Sequence, residues 1–173
     1  MLAVFKQCDI RVGKVVECEK HPESDKLYIE KIDLGEGRIR TIGSGLQPHM
    51  TADELLDGHV IVFANLKPKK LGGVPSEGMV LCANSDDKSS CELMRPPKGC
   101  SVGERIQLEG NPIDGAPLPQ EYEKVLNPKK KVENKCLDNL KTNDKLIGCF
   151  NGIKMVTSKG PIVAKKLKNS NIS

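Results

Sequence analysis

The order of short strand patterns around one capped helix constrains the fold of this chain more than any other feature. Segments 9–19, 27–34 and 38–44 have the apolar and polar alternation of strands, and a Gly-Glu-Gly turn separates the second from the third. The first segment contains Gly13, where we expect a bend or bulge. The N-terminal part is therefore predicted to begin with three strands.

The hydrophobic period changes at Thr51. The sequence Thr-Ala-Asp-Glu forms a capping box, in which the Thr51 hydroxyl accepts from the Glu54 amide and the Glu54 carboxylate reaches back. Met50 and Leu55 are placed to form a hydrophobic staple, and Gly58 ends this short helix.

Further strand patterns follow the helix at 59–65, 79–83 and 102–108, and the first of these is apolar enough to be buried on both faces. Three strands, a helix and two strands is the order of the oligonucleotide-binding barrel. We therefore predict a mainly β fold with a five-stranded barrel of this type and a short helix, over residues 1–108.

Residues 109–173 are predicted to form a small mixed extension. A Pro/Gly-rich connector covers 110–119, the basic segment 127–131 is followed by a short helix through 136–140, and strands lie near 146–150 and 153–156. This part has few large apolar residues and would bury too little surface to fold alone. We expect it to pack on the barrel.

Charge is distributed unevenly along the chain. Residues 1–108 contain 15 basic and 16 acidic residues, whereas residues 109–173 contain 12 basic and 7 acidic ones. This asymmetry is typical of a protein that binds a polyanion, and the alternative is a merely solvated basic face.

Several functional classes lack their sequence signatures. Seven cysteines without a C-x-x-C pair and three scattered histidines predict reduced thiols with no metal site and no disulfide. Neither a dinucleotide fingerprint nor a P-loop is present, so we expect no cofactor and no catalysis. The longest apolar run is Val60–Ala64, and the N-terminus does not resemble a signal peptide, so a cytoplasmic protein without a membrane partner is expected.

The segment 65–79 is the most informative loop. Lys67, Lys69 and Lys70 precede its first acidic residue, Glu77. The segment also contains several glycines and prolines. In an oligonucleotide-binding barrel the loop between strands four and five borders the ligand face. A solvated basic loop is the alternative.

Five motifs then carry a family resemblance: D-I-R-V-G-K-V (9–15), K-H-P-E-S-D-K-L-Y-I-E-K-I-D-L-G-E (20–36), R-T-I-G-S-G-L (40–46), N-L-K-P-K-K-L-G-G-V-P-S-E-G-M-V-L-C-A (65–83) and L-N-P-K-K-K (126–131). Together they resemble the tRNA-binding domain of the endothelial monocyte-activating polypeptide type. That domain also occurs in C-terminal extensions of tyrosyl-, methionyl- or lysyl-tRNA synthetases and in eukaryotic synthetase cofactors.

The resemblance implies a non-catalytic module that binds tRNA with little sequence specificity and delivers it to an aminoacyl-tRNA synthetase, in cis or in trans. It also implies that residues 109–173 imitate a dimer interface and leave the protein monomeric. The RNA-facing positions that it implies, together with the neighbouring lysines, are Arg40, Ser44, Asn65, Lys67, Lys69, Lys70, Ser76, Met79, Lys129, Lys130 and Lys131. Gly72 stands where the family commonly has arginine.

Aromatic stacking contributes little to the expected mode of recognition. The chain has no tryptophan, two tyrosines and three phenylalanines, whereas sequence-tolerant single-strand binders stack bases on aromatic side chains. Tyr28 could stack on a base, but a half-buried position in the barrel is the preferred interpretation. His21 is interpreted as a solvated loop residue. Recognition is therefore expected to depend on phosphate contacts and RNA shape.

A cytokine-like signalling function is the alternative. It would use a segment that resembles the one associated with such activity in the polypeptide named above: Arg11, Val12, Gly13, Lys14, Val15, Val16 and Glu17. Glu17 departs from the threonine usual in relatives. A first barrel strand with buried valines accounts for the same residues.

Overall fold

The computed structural model describes residues 1–111 and 125–173, so most of the connector predicted at 110–119 lies outside the described residues. The helices are α1 (Leu2–Lys6), α2 (Ala52–Leu56), a 3-10 turn (Pro128–Lys130) and α3 (Val132–Leu137). The strands are β1 (Ile10–Lys20), β2 (Tyr28–Asp33), β3 (Ile39–Ser44), β4 (His59–Phe63), β5 (Lys69–Leu71), β6 (Val74–Ser76), β7 (Met79–Val80), β8 (Cys82–Asn84), β9 (Cys91–Leu93), β10 (Gln107–Leu108), β11 (Leu140–Thr142), β12 (Gly148–Phe150), β13 (Ile153–Thr157), β14 (Gly160–Pro161) and β15 (Asn171–Ile172). None of the described helices is long and apolar enough to cross a membrane.

The first sheet has the strand order β3-β2-β1-β4-β7, and each neighbouring pair is antiparallel. The capping box at Thr51 and Glu54 is present and begins α2. The strands curl into a half-barrel beside α2, which confirms the predicted mainly β fold with an oligonucleotide-binding-like barrel and a short helix.

The bulge expected at Gly13 lies elsewhere. The register of β1 against β2 shifts between Val15 and Glu17 instead. Gly13 serves close packing, because a Cβ at this position would lie 2.9 Å from Leu34 Cδ2 and 3.0 Å from Ile32 Cγ2. A glycine inside a strand permits either arrangement, so the sequence alone could not distinguish them.

The strand predicted at 79–83 is divided between two sheets. Met79–Val80 pairs with β4, whereas Cys82–Asn84 pairs with β9 and β15. Leu81 lies at the change of sheet, where its N–H donates to Ile61 O at 2.8 Å and its carbonyl accepts from Met94 N at 3.1 Å. The strand predicted at 102–108 is shortened to Gln107–Leu108, although irregular hydrogen bonds still join residues 103–106 to the beginning of β1.

The C-terminal strands do not form a sheet of their own. They join β8, β9 and β10 in a second sheet. Its order is β10-β13-β12-β11-β15-β8-β9, with β14 paired to β13, so the C-terminal strands lie between β10 at one end and β8 and β9 at the other. The carboxylate of Glu92 adds a further link, since it accepts from three successive backbone N–H groups, those of Lys165, Lys166 and Leu167, at 2.9, 2.6 and 2.6 Å.

Strand β4 separates the two apolar cores. Val60 and Val62 belong to the core inside the barrel, whereas Ile61 and Phe63 belong to the core shared with the C-terminal residues. All four are fully buried, as predicted for this strand. C-terminal residues such as Phe150 and Ile162 form the other half of the shared core.

Glu30 is an unusual member of the barrel interior. It is fully buried in β2, and neither carboxyl oxygen accepts a hydrogen bond of normal geometry from the described residues. Burial raises the pKa of Glu30 to about 8, and the neighbouring Ser44 hydroxyl, which lowers it, offsets only part of the rise. The folded protein therefore retains the Glu30 proton at pH values where an unfolded chain has released it.

Truncation after Leu108 tests the shared core. Removing residues 109–173 would expose Ile61 and Phe63 and leave β8 without its partner β15. An exposed apolar face of this kind drives association. We expect dimers or aggregates of the truncated protein in size-exclusion chromatography with light scattering, whereas a well-behaved monomer with normal thermal stability would contradict this expectation.

The raised pKa of Glu30 should make the stability of the protein depend on pH. Its pKa of about 8 in the folded state lies above the unfolded value of 4.5, so the free energy of unfolding falls as the pH rises between these values. The slope has an upper limit of about 1.4 kcal/mol per pH unit. We expect Glu30→Gln to remove this slope in urea unfolding between about pH 5 and pH 8.

The control for this experiment is Glu17→Gln, because Glu17 is exposed on β1. That variant should retain the slope of the native sequence. Parallel curves for Glu30→Gln and the native protein would show that Glu30 does not titrate in this range.

Candidate nucleic-acid interface

The segment predicted as a basic loop forms a β-hairpin at its centre. Strands β5 and β6 pair antiparallel, with Leu71 opposite Val74 and only Gly72 and Gly73 between them. Both glycines have positive φ, +55° and +81°, as a tight two-residue hairpin turn requires. The hairpin presents Lys69 and Lys70, both exposed, from an ordered strand.

The tip of the hairpin is held by His21. The Glu23 amide donates to His21 Nδ1 at 3.0 Å, which leaves Nε2 to donate to the Gly72 carbonyl at 2.8 Å. A Cβ at Gly72 would lie 2.9 Å from that Nε2, so a larger residue would displace the ring. The interpretation of His21 as a solvated loop residue is wrong, because it is buried and fixes the hairpin.

Arg40 fixes the base of the hairpin. Its Nε and Nη2 donate to the Glu36 carboxylate at 2.6 and 3.0 Å, and its Nη1 donates to the Ala64 carbonyl and, at 2.9 Å, to the Glu77 carbonyl. Ala64 and Glu77 precede and follow the hairpin in the chain, and 13% of the Arg40 side chain is exposed. Most of its donors are therefore engaged within the fold.

Two carboxylates around this base are stabilised in their charged form. Burial would raise the pKa values of Glu36 and Glu77, but hydrogen bonds and charge outweigh it and lower both. Arg40 is the partner of Glu36, and Arg38 is the partner of Glu77 at 2.7 Å. Both acidic residues remain charged at neutral pH and neutralise nearby arginines, so the exposed lysines carry the positive charge of the hairpin.

Asn65 and Ser76 are also engaged in the fold. Asn65 is buried, accepts from the Asp9 amide at 2.9 Å and donates to the Gln7 carbonyl at 2.9 Å. Ser76 is buried as well, and its hydroxyl accepts from the Gly43 amide at 3.0 Å. The polar groups of these two residues position the hairpin and its flanks.

A groove of about 300 Å³ lies between the hairpin, the end of β3 and strands β7 to β9. Five of the residues implied by the resemblance line it: Ser44, Lys67, Lys69, Ser76 and Met79. His49 and Asn84 add polar groups that the sequence did not single out, and Leu46 and Leu66 add apolar surface. A groove with lysines at its rim and both polar and apolar walls suits a phosphate-bearing ligand.

Lys129, Lys130 and Lys131 lie outside this groove but are tethered beside it. All three are exposed, on and just after the 3-10 turn that begins at Pro128. The Leu126 amide donates to the Asn65 carbonyl at 2.7 Å, which anchors this segment two residues before Lys67. The segments that carry the two groups of lysines are therefore joined to each other close to the barrel.

The segment with cytokine resemblance is a central strand. Residues 11–17 belong to β1, which pairs with β4 on one side and β2 on the other. Arg11, Val12, Gly13 and Val15 are buried, and Arg11 Nε donates to Asp9 Oδ1 at 2.7 Å. Lys14, Val16 and Glu17 are its exposed members.

The role of Arg40 gives a prediction on stability. Arg40→Ala removes a largely buried, charge-assisted network and should lower the free energy of unfolding by about 2–4 kcal/mol. Arg38→Ala, two residues away and just before β3, is the matched control, because its side chain is 54% exposed and its ion pair should contribute under about 1 kcal/mol. Urea unfolding of both variants measures the difference, and equal losses would contradict the conclusion that Arg40 fixes the base of the hairpin.

Known proteins resemble this chain in both sequence and structure. Residues 10–105, more than half of the chain, match the family model described as a putative tRNA binding domain. The cytoplasmic methionine–tRNA ligase of Arabidopsis thaliana is 43% identical over 164 residues, which cover 95% of this chain and 20% of that protein. The aminoacyl tRNA synthase complex-interacting multifunctional protein 1 of Cricetulus griseus is 38% identical over 165 residues, which cover 95% of this chain and 44% of that protein.

The solved structure of the C-terminal domain of Plasmodium vivax p43 superimposes with a TM-score of 0.86 at 35% identity, and 98% of each chain is covered. The chain thus spans less than half the length of the two curated relatives but nearly the whole of this solved domain. The family resemblance seen in the sequence motifs is confirmed, and the chain belongs to the family of tRNA-binding domains.

Proposed function

We propose that this chain is a non-catalytic module that binds tRNA with little sequence specificity and delivers it to an aminoacyl-tRNA synthetase, in cis or in trans. The observation that carries the proposal is the ordered hairpin, which presents Lys69 and Lys70 to solvent beside a groove that Lys67 and Lys69 line. Backbone phosphates are the part of a folded RNA that such lysines recognise regardless of sequence.

Two further features support recognition of phosphate and shape. Tyr28 is buried, and its hydroxyl donates to the Met50 carbonyl at 2.8 Å, so it offers no face for base stacking. Lys129, Lys130 and Lys131 extend the basic surface away from the groove. A surface larger than the groove fits a folded RNA better than a single nucleotide.

The organisation that we propose follows from the shared core. Residues 1–108 form the tRNA-binding barrel, and residues 109–173 form a basic extension that covers one face of it and occupies the position of a dimer interface. The protein would then be a monomer. The names of its relatives place those proteins in the cytoplasm, and we propose the same location here.

The salt dependence of tRNA binding tests this function. Releasing counterions from about four to six phosphates gives a slope of log affinity against log salt of about −3 to −5. Lys69→Ala combined with Lys70→Ala should flatten that slope by about 0.7–0.9 for each lost contact, and should weaken several unrelated tRNAs alike. Filter binding or fluorescence anisotropy at several salt concentrations measures both quantities.

The matched control is Lys165→Ala combined with Lys166→Ala. These lysines are also consecutive and exposed, and their contacts with Glu92 use backbone N–H groups that alanine retains. The control should bind with nearly the native slope. A strong preference for one tRNA, or an unchanged slope in the Lys69 and Lys70 double variant, would overturn the proposal.

A further inference from the structure

Two cysteine side chains border the candidate groove from neighbouring strands. In the pairing of β8 with β9, Cys82 lies opposite Leu93 and Cys91 lies opposite Asn84. Because side chains two residues apart share one face of a strand, both cysteines project from the same face of this strand pair as diagonal neighbours. Both also line the groove, Cys82 as a buried residue and Cys91 as a partly exposed one.

The two thiols differ in chemical character. The neighbouring Cys82 side chain lowers the pKa of Cys91 despite opposing effects of burial and of Glu92, while the Cys82 thiol itself donates to the Val80 carbonyl at 3.9 Å. Burial raises the pKa of Cys18 to about 12 and also raises that of Cys149. Since the thiolate is the nucleophile, Cys91 is better prepared to react than Cys18 or Cys149, and Cys82 is the thiol next to it.

We propose that Cys91 and Cys82 form a peroxide-sensitive thiol pair, and that their disulfide reshapes the groove and weakens RNA binding. The first part concerns the thiols alone, whereas the second part rests on the proposed function. In a cytosolic protein, a disulfide between such neighbours would be transient and regulatory.

The chemistry balances with a hydroperoxide as the oxidant. The Cys91 thiolate attacks one peroxide oxygen, the O–O bond breaks, and Cys91 becomes a sulfenic acid while the other oxygen leaves as water after protonation. The sulfur of Cys82 then attacks the Cys91 sulfur, the S–O bond breaks, and the second oxygen leaves as water with the Cys82 proton. Two thiols and one hydrogen peroxide thus give one disulfide and two waters.

The strand register explains why this bond would alter the groove. Diagonal neighbours in an antiparallel pair have Cα atoms about 7–8 Å apart, whereas a relaxed disulfide requires about 4.4–6.8 Å. Bridging would therefore draw β8 and β9 out of register and move Asn84, which also lines the groove. A strained bond of this kind is also readily reduced, as a reversible switch requires.

Peptide mapping of the full chain after hydrogen peroxide treatment tests the thiol pair without any RNA. Trypsin places the three cysteines nearest in sequence on separate peptides: Cys82 on 71–88, Cys91 on 89–98 and Cys100 on 99–105. We expect a non-reduced link between 71–88 and 89–98, with a mass two hydrogens below the sum of the free peptides, while Cys100 remains available for alkylation. Absence of that link, or equal oxidation of Cys100, would overturn the thiol pair.

The effect on RNA binding is measured separately on the same oxidised sample. We expect affinity for tRNA to fall at least about fivefold and to return after dithiothreitol, which does not reduce methionine sulfoxide at Met79. Cys91→Ser and Cys82→Ser should abolish the response, and Cys100→Ser should retain it. If the disulfide forms and affinity is unchanged, the coupling is wrong. If the reduced protein binds no tRNA, the proposed function fails, whereas the peptide map still decides the thiol chemistry.

Discussion

The position of the basic hairpin, and with it the groove, depends on the guanidinium of Arg40. This one group joins the Glu36 carboxylate to the carbonyls of Ala64 and Glu77, which precede and follow the hairpin in the chain. His21 holds the tip of the hairpin at Gly72. With its base and its tip fixed, the hairpin presents its lysines from a defined backbone, so less conformational entropy would be lost on binding a ligand.

A second constraint is that the barrel is complete only with the C-terminal residues. The alternating faces of β4 direct Val60 and Val62 into the barrel, and direct Ile61 and Phe63 towards α3 and β12. Phe5 joins the same core, where its ring lies 5.2 Å from that of Phe150. The N-terminal helix, the barrel and the C-terminal strands therefore form one packed body, and the surface that we propose for RNA combines lysines from distant parts of the sequence.

The sequence predicts most of the local structure but not the way in which its parts meet. The capping box at Thr51, the apolar strand at 59–65 and the lysine-rich segment are all visible in local patterns. The sheet change at Leu81 and the hairpin at Gly72 depend on tertiary packing, so local patterns gave one continuous strand and one loop in their place. The sequence also could not predict which polar residues bond to the protein's own backbone. A residue such as Asn65 or Ser76 has the same sequence signal whether it contacts a ligand or that backbone.

The most direct test of the central claim is a lysine footprint. Acetylation of the full chain with and without bound tRNA, followed by mass spectrometry, measures the protection of each lysine. Lys67, Lys69 and Lys70 should be protected, whereas Lys141 and Lys159, exposed on the C-terminal strands and turns, should react equally in both samples. Protection confined to the C-terminal lysines, with the hairpin lysines fully reactive, would contradict the assignment of the hairpin as the RNA-binding surface.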